Sequence, residues 1–243
     1  MKLLLSKLRG LTLAFVITAV FVLTVILSQV SMNSDSVQSS IATDVNCPTI
    51  IIDPGHGGID GGCVAINGVP EKGINLSIAQ ACHDILTSMG YNVVMTRDSD
   101  VSIHDKGVQG TGNQKKSDMK NRLEIINSYE NAVAVSIHQN QFTDGAYSGA
   151  QMFYSDTNDL SQPLAVCVQS SFVNFLQPQN TREIKEIGND LYLLYNANCP
   201  MIMAECGFLS NETESELLQS EEYQKKVAFT IAMGIHSFVK DNY

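Results

Sequence analysis

Residues 50–62, IIIDPGHGGIDGG, decide how this chain is read. Three β-branched residues in a row describe a strand covered on both faces, and Asp-Pro-Gly ends it in a turn. His56 then stands among glycines, which cost backbone entropy and so need a reason. Three reasons are open: a tight turn, a cradle for phosphate, or free access to something the histidine holds. The stretch does not match G-x-G-x-x-G running straight into a helix, and no Gly-Lys-Ser/Thr follows, so neither phosphate-binding fingerprint applies.

Working outward, strands and helices alternate. CPTIIID (47–53), YNVVMT (91–96), AVAVSIH (132–138), AQMFYS (150–155), LYLLYN (191–196) and PMIMAE (200–205) read as strands. EKGINLSIAQACHDILTSMG (71–90) has apolar residues every three or four positions and closes on Gly90, which is a helix with its stop signal. Residues 117–130 read as a helix with Ser117 as N-cap, 162–176 as another, and 220–241 as a long closing helix. Residues 97–116 read as a polar surface loop. The alternation predicts an α/β domain of three layers, a mostly parallel twisted sheet with helices on both faces. In such sheets ligands bind beyond the carboxyl ends of the strands.

The N-terminal 46 residues read differently. Lys2, Lys7 and Arg9 precede an uncharged run of 17 residues, Leu11–Leu27, at the border between a signal-peptide core and a short membrane span. Residues 1–30 are therefore expected to be a signal peptide or membrane anchor, with the remainder outside the cytoplasm. Residues 31–46, rich in Ser, Asn and Asp, read as a flexible tether, and 47–243 as one catalytic-sized domain. Those three N-terminal residues are among 15 basic residues in all, and all 25 acidic ones lie beyond the apolar run. The exported part is thus strongly acidic, which argues against nucleic acid as a partner. Six cysteines form no CxxC and no recognisable disulfide framework.

Polar residues at strand ends supply the candidate site. His56 follows the first strand, His138 ends AVAVSIH, Glu205 ends PMIMAE, and Glu71 opens the first helix behind Pro70. Two histidines and a carboxylate are a known ligand set for catalytic zinc with one position left for water. Each residue also has an ordinary structural reading: a hydrogen-bonded histidine, a glutamate facing a helix N-terminus, a partner for a buried arginine.

Four segments together carry a resemblance. IIIDPGHGGIDGG, EKGINL, SIHQN and AECGFLSN, in that order and spacing, resemble the signature segments of the zinc-dependent N-acetylmuramoyl-L-alanine amidases, with TRDSD and SDMKNR between them. The resemblance implies one zinc held by His56, Glu71 and His138, and Glu205 as catalytic base on the water the zinc activates. It implies hydrolysis of the amide joining the lactyl group of N-acetylmuramic acid to the L-alanine of the stem peptide, with peptidoglycan as substrate. Asn140 and Arg122 are further candidates for touching glycan or peptide. Gln139 stands where many relatives have Ala or Cys, which is expected to alter the substrate rim. A short anchor on a bare catalytic domain resembles the germination-specific members, which trim stem peptides in the spore cortex so that muramic δ-lactam forms. Two other readings stay open. One is a cysteine amidase using Cys63 or Cys206, which needs a lowered thiol pKa. The other is a wall-binding module of low intrinsic activity that needs an activating protein partner.

Overall fold

The computed structural model describes residues 47–243. The expected signal peptide or anchor (1–30) and tether (31–46) lie outside the described residues. Among the described residues no helix is long and apolar enough to cross a membrane.

Ile50, Ile51 and Ile52 are fully buried, as a strand covered on both faces requires. Ile50 and Ile52 point into one apolar cluster and Ile51 into another, so two cores flank the sheet. The strands are β1 (Thr49–Pro54), β2 (Val93–Met95), β3 (Ala132–Asn140), β4 (Gln151–Tyr154), β5 (Lys185–Glu186) and β6 (Met201–Phe208). They lie in the order β2-β1-β3-β6-β4-β5. Pairings of β1 with β2 and β3, of β3 with β6, and of β4 with β5 are parallel; β4 runs antiparallel to β6. Both edge strands are short, β2 with three residues and β5 with two.

The helices are α1 (Glu71–Ser88), α2 (Thr111–Asn127), α3 (Ser161–Phe175), α4 (Tyr192–Asn196), α5 (Glu212–Leu218) and α6 (Glu221–Asn242). Helices α1, α3 and α6 bury Ile78, Val168 and Ile231 in the core beneath Ile50 and Ile52. Helices α2 and α4 bury Ile126, Leu193 and Leu194 against Ile51 on the other side. The expected three-layer architecture with a mostly parallel sheet is the one observed.

Local boundaries differ from the sequence reading in physically explicable ways. LYLLYN is a helical turn, not a strand: Leu193 and Leu194 are buried while Tyr192 and Tyr195, three apart, are exposed. So short an apolar run carries no period that separates the two states. Helix α2 begins at Thr111, one turn and a half before Ser117, behind Gly110 at φ 83. Ser117 does not cap it. Its hydroxyl bonds the backbone N–H and carboxylate of Asp105 and ties the preceding loop to the helix. Gly90, at φ 94, closes α1 in the left-handed region as its position implied.

Candidate functional site

Strand β1 ends at Pro54, and the chain turns so sharply that His56 takes φ 62, a region that non-glycine residues rarely occupy. Two buried guanidinium groups hold this turn by its carbonyls. Arg122 of α2, 1% exposed, donates to Pro54 O at 2.7 Å and to His56 O at 2.5 Å. Arg97, just after β2, donates to Pro54 O at 2.9 Å and to Gly55 O at 2.8 Å. Asp53 and Asp118 balance Arg122 at 2.7 and 2.6 Å. Burial pushes the Asp53 carboxyl up, but Arg122 beside it, with hydroxyls of Ser136 and Thr96 donating to it, outweighs burial and holds it at about 2.

The glycines make room. A Cβ on Gly55 would lie 2.2 Å from the His138 ring, and one on Gly62 would lie 2.5 Å from Glu71 Oε2 and 2.6 Å from His56 Cδ2. Of the three readings open for the glycine run, the sharp turn at His56 is seen directly, and Gly55 and Gly62 also let the backbone pass against a histidine-and-carboxylate cluster, which the sequence reading did not include.

Glu71, first residue of α1 and 1% exposed, sits at the centre. Its Oε2 lies 3.2 Å from His56 Nε2, and its Oε1 lies 3.1 Å from His138 Nδ1. Backbone N–H groups of Cys63 and Gln139 and the amide of Asn75 donate to the same carboxylate. Burial alone would favour the protonated acid; the two histidines and their hydrogen bonds outweigh it and keep Glu71 well below the carboxylate range. The imidazoles meet edge to face, centroids 4.9 Å apart. His56, Glu71 and His138 each offer one ligand atom, all within 4.8 Å of one another, a group that could hold a metal ion.

Behind His56, Asp60 Oδ2 lies 2.9 Å from Nδ1, and Lys115 Nζ lies 2.7 Å from Asp60 Oδ1. A carboxylate on the outer imidazole nitrogen fixes ring orientation in metal centres. Burial works against a charged His56 ring, but Glu71 and Asp60 raise its pKa to about 9. The sequence reading missed Asp60, although it stands four residues after His56 inside the quoted stretch.

Glu205 faces the cluster from β6, paired in register with His138. Its Oε2 is shut off from solvent and has no hydrogen-bond partner among the described residues. Burial pushes its carboxyl up to about 7, with His138 working the other way. The two thiols considered as nucleophiles are pushed in the wrong direction for that role. Burial, Glu71 and Glu205 raise Cys63 to about 11; burial and Glu205 raise Cys206 well above the ordinary thiol value.

The remaining candidates are placed as follows. Asn140 is half-buried at the end of β3, past a register shift that follows His138. Arg122 points inward, its guanidinium taken up by Asp53, Asp118 and the turn carbonyls, so it orders the site from beneath. Gln139 is not at the substrate rim. It is 2% exposed and donates its side-chain amide to Asn75, which in turn holds Glu71.

Comparison with known proteins agrees with this geometry. The family described as N-acetylmuramoyl-L-alanine amidase matches residues 50–237. A germination-specific N-acetylmuramoyl-L-alanine amidase of Bacillus subtilis (strain 168) is 38% identical over 186 residues, 76% of this chain and 77% of the relative. The CwlD amidase of Clostridioides difficile, solved in complex with the GerS lipoprotein, superposes with a TM-score of 0.77 at 38% identity, covering 80% of this chain and 100% of that one. AmiC2 of Nostoc punctiforme, another N-acetylmuramoyl-L-alanine amidase, gives 0.67 at 28% identity over 79% of this chain and 97% of its own.

Proposed function

This chain belongs to the N-acetylmuramoyl-L-alanine amidase family, and we propose that it carries out that family's hydrolysis of peptidoglycan with one zinc ion held by His56, Glu71 and His138. The observation that carries the proposal is the coincidence of that three-ligand group with a buried carboxylate, Glu205, that has an unpartnered oxygen. Two imidazoles and one carboxylate are a donor set for catalytic zinc, and Gly55 and Gly62 keep the space that larger residues would fill. Bound there, zinc supplies a Lewis acid and a water of lowered pKa.

The chain's own residues do the rest. Glu205, buried beside the ligand group with one oxygen unpartnered among the described residues, is placed to take a proton and return it to the leaving amine. Asp60 holds the outer nitrogen of His56, and Arg97 and Arg122 hold the turn that presents it. Asn140 keeps a proposed contact to substrate; Arg122 is assigned to the turn. The raised thiols of Cys63 and Cys206 weigh against the cysteine reading, and an assembled set of ligands and base weighs against a site that only binds wall.

Likeness to the germination-specific relative supports work on the spore cortex, outside the cytoplasm, with residues 1–30 as export signal or anchor, 31–46 as tether and 47–243 as the catalytic domain. The relative solved with a lipoprotein supports an accessory protein that activates this chain.

Glu205→Gln tests the assignment. The amide keeps the carboxylate's shape but cannot take a proton. The purified variant should fold and retain zinc while turnover falls about 10²–10⁴-fold. The product to follow is stem peptide beginning with L-alanine beside intact glycan. Full activity in the variant, or glycan fragments in place of peptides, would sink the assignment.

A further inference from the structure

We propose that the outer part of the substrate cleft, along α2, is a seat for the carboxylates of an acidic peptide, so that the stem peptide leaves the site over α2. This rests on the amidase reading and deepens it.

A cleft of about 230 Å³ opens beside the ligand group, with His56, His138, Lys115, Met119 and Tyr192 in its walls; Asp53, Asp60 and Asp118 also line it, and each is already paired with Arg122 or Lys115. It continues into a shallower hollow lined by Lys115, Lys116, Met119, Lys120 and Tyr192. On a helix, positions 115, 116, 119 and 120 share one face. Three ammonium groups are therefore gathered at the mouth of a cleft whose inner end is the reacting centre. The chain as a whole carries a formal charge of −10, so this strip runs against the sign of the rest. Lys115 is engaged with Asp60, and Lys120 lies 3.6 Å from Glu124. Lys116 makes no ion pair among the described residues.

The chemistry of the ligand follows. Among the described residues Lys116 is the unpaired charge of this strip, and an incoming carboxylate within a screening length of roughly 8 Å can also draw Lys120 from its loose pair with Glu124. A neutral sugar chain offers the strip nothing, whereas a stem peptide carries free carboxylates. Lysines act as mobile point charges and tolerate carboxylates at varied spacing, unlike the fixed fork of arginine. Met119 and exposed Tyr192 give the peptide's methylene and methyl groups an apolar wall. The cleft thus distinguishes the two halves of the substrate by charge.

The test uses the zinc-loaded protein and soluble muramoyl peptides in two forms, one with free side carboxylates and one with these amidated. Lys116→Gln/Lys120→Gln removes two charges without touching the ligand group or Asp60. Lys225→Gln/Lys226→Gln makes the same change on α6, across the sheet. Exposed ion pairs are each weak, so KM for the carboxylate form should rise about 2- to 10-fold in the first variant. Its kcat, zinc content and KM for the amidated form should hold, and the rise should shrink at high salt. The α6 variant should match the parent. An equal KM shift for both substrate forms, or none, overturns the proposal while leaving the amidase reading standing. Calorimetry with the free acidic peptide separates the two in the other direction. Binding that weakens only in the α2 variant, by a parent protein that cleaves neither substrate, would uphold the seat and sink the amidase reading.

Discussion

His138 and His56 reach the same carboxylate from supports of different kinds. His138 lies within β3, which is hydrogen-bonded on one side to β1 and on the other to β6, and the residues before it, Val133 to Ile137, are fully buried. Its position follows from sheet register alone. His56 stands on a turn past the end of β1, in a backbone conformation that costs energy, with no ladder to hold it. Its position depends on side chains brought from elsewhere: Arg97 from beyond β2, Arg122 from α2, and Asp60 from within the turn. A strand places a histidine through backbone pairing; a turn needs a second set of residues to do the same, and those are where the site is open to disruption.

The largest expected effect is at Arg122. Arg122→Met removes the guanidinium from two buried carboxylates and two turn carbonyls, and leaving buried charges without a partner costs about 3–5 kcal/mol. Urea unfolding measures it. A loss below about 1 kcal/mol would mean that the turn supports itself and that the contrast between the two arms is false. Next comes the pH dependence of Asp53. Its carboxyl is at about 2 in the folded chain against 3.8 for an ordinary aspartate, so it contributes stability that is complete above the ordinary value. That stability is lost as pH falls through the folded value. The loss between roughly pH 4 and pH 2 is about 2 kcal/mol. Unfolding free energy followed through that window should drop for the parent and lose this component in Asp53→Asn; identical slopes would remove Asp53 from the anchor. The smallest effect is at Asp60, partly exposed behind His56. Asp60→Asn should weaken zinc about 10-fold, near the low end for a ligand's outer partner. A competing chelator reads this directly, and unchanged affinity would show that His56 needs no support on its outer nitrogen.

The two arms also differ in how far the sequence revealed them. AVAVSIH advertises a buried strand ending in a histidine, and register then brings it beside Glu205 with no further information. The glycines around His56 announced a special backbone without saying what it serves. That needs Glu71, 15 residues on, and His138, 82 residues on, to be folded against them. Arg122 illustrates the limit most clearly. A polar residue in a helix following a polar loop reads as surface, and only tertiary packing shows that its guanidinium is inside. Gln139 was misread for the same reason: a residue next to a site histidine can face the cleft or the interior, and here it faces inward to Asn75. LYLLYN reads as a strand because six residues, five of them in a single helical turn, hold too little periodicity to separate helix from strand.

The sheet's two ends have a consequence for the behaviour of the molecule in company. An edge strand shows a row of unused backbone donors and acceptors, and a long flat one can recruit another chain into a growing fibre. Among the described residues, this sheet finishes in three residues on one side and two on the other, and the two-residue end carries Lys185 and Glu186. Neither offers enough aligned backbone to template an intruder, and the two-residue end is exposed and charged rather than apolar. The long, apolar strands that carry the chemistry, β1, β3 and β6, are all interior. Among the described residues, the arrangement that keeps His138 and Glu205 on interior strands, and His56 just past the end of another, also leaves the sheet without a long open border.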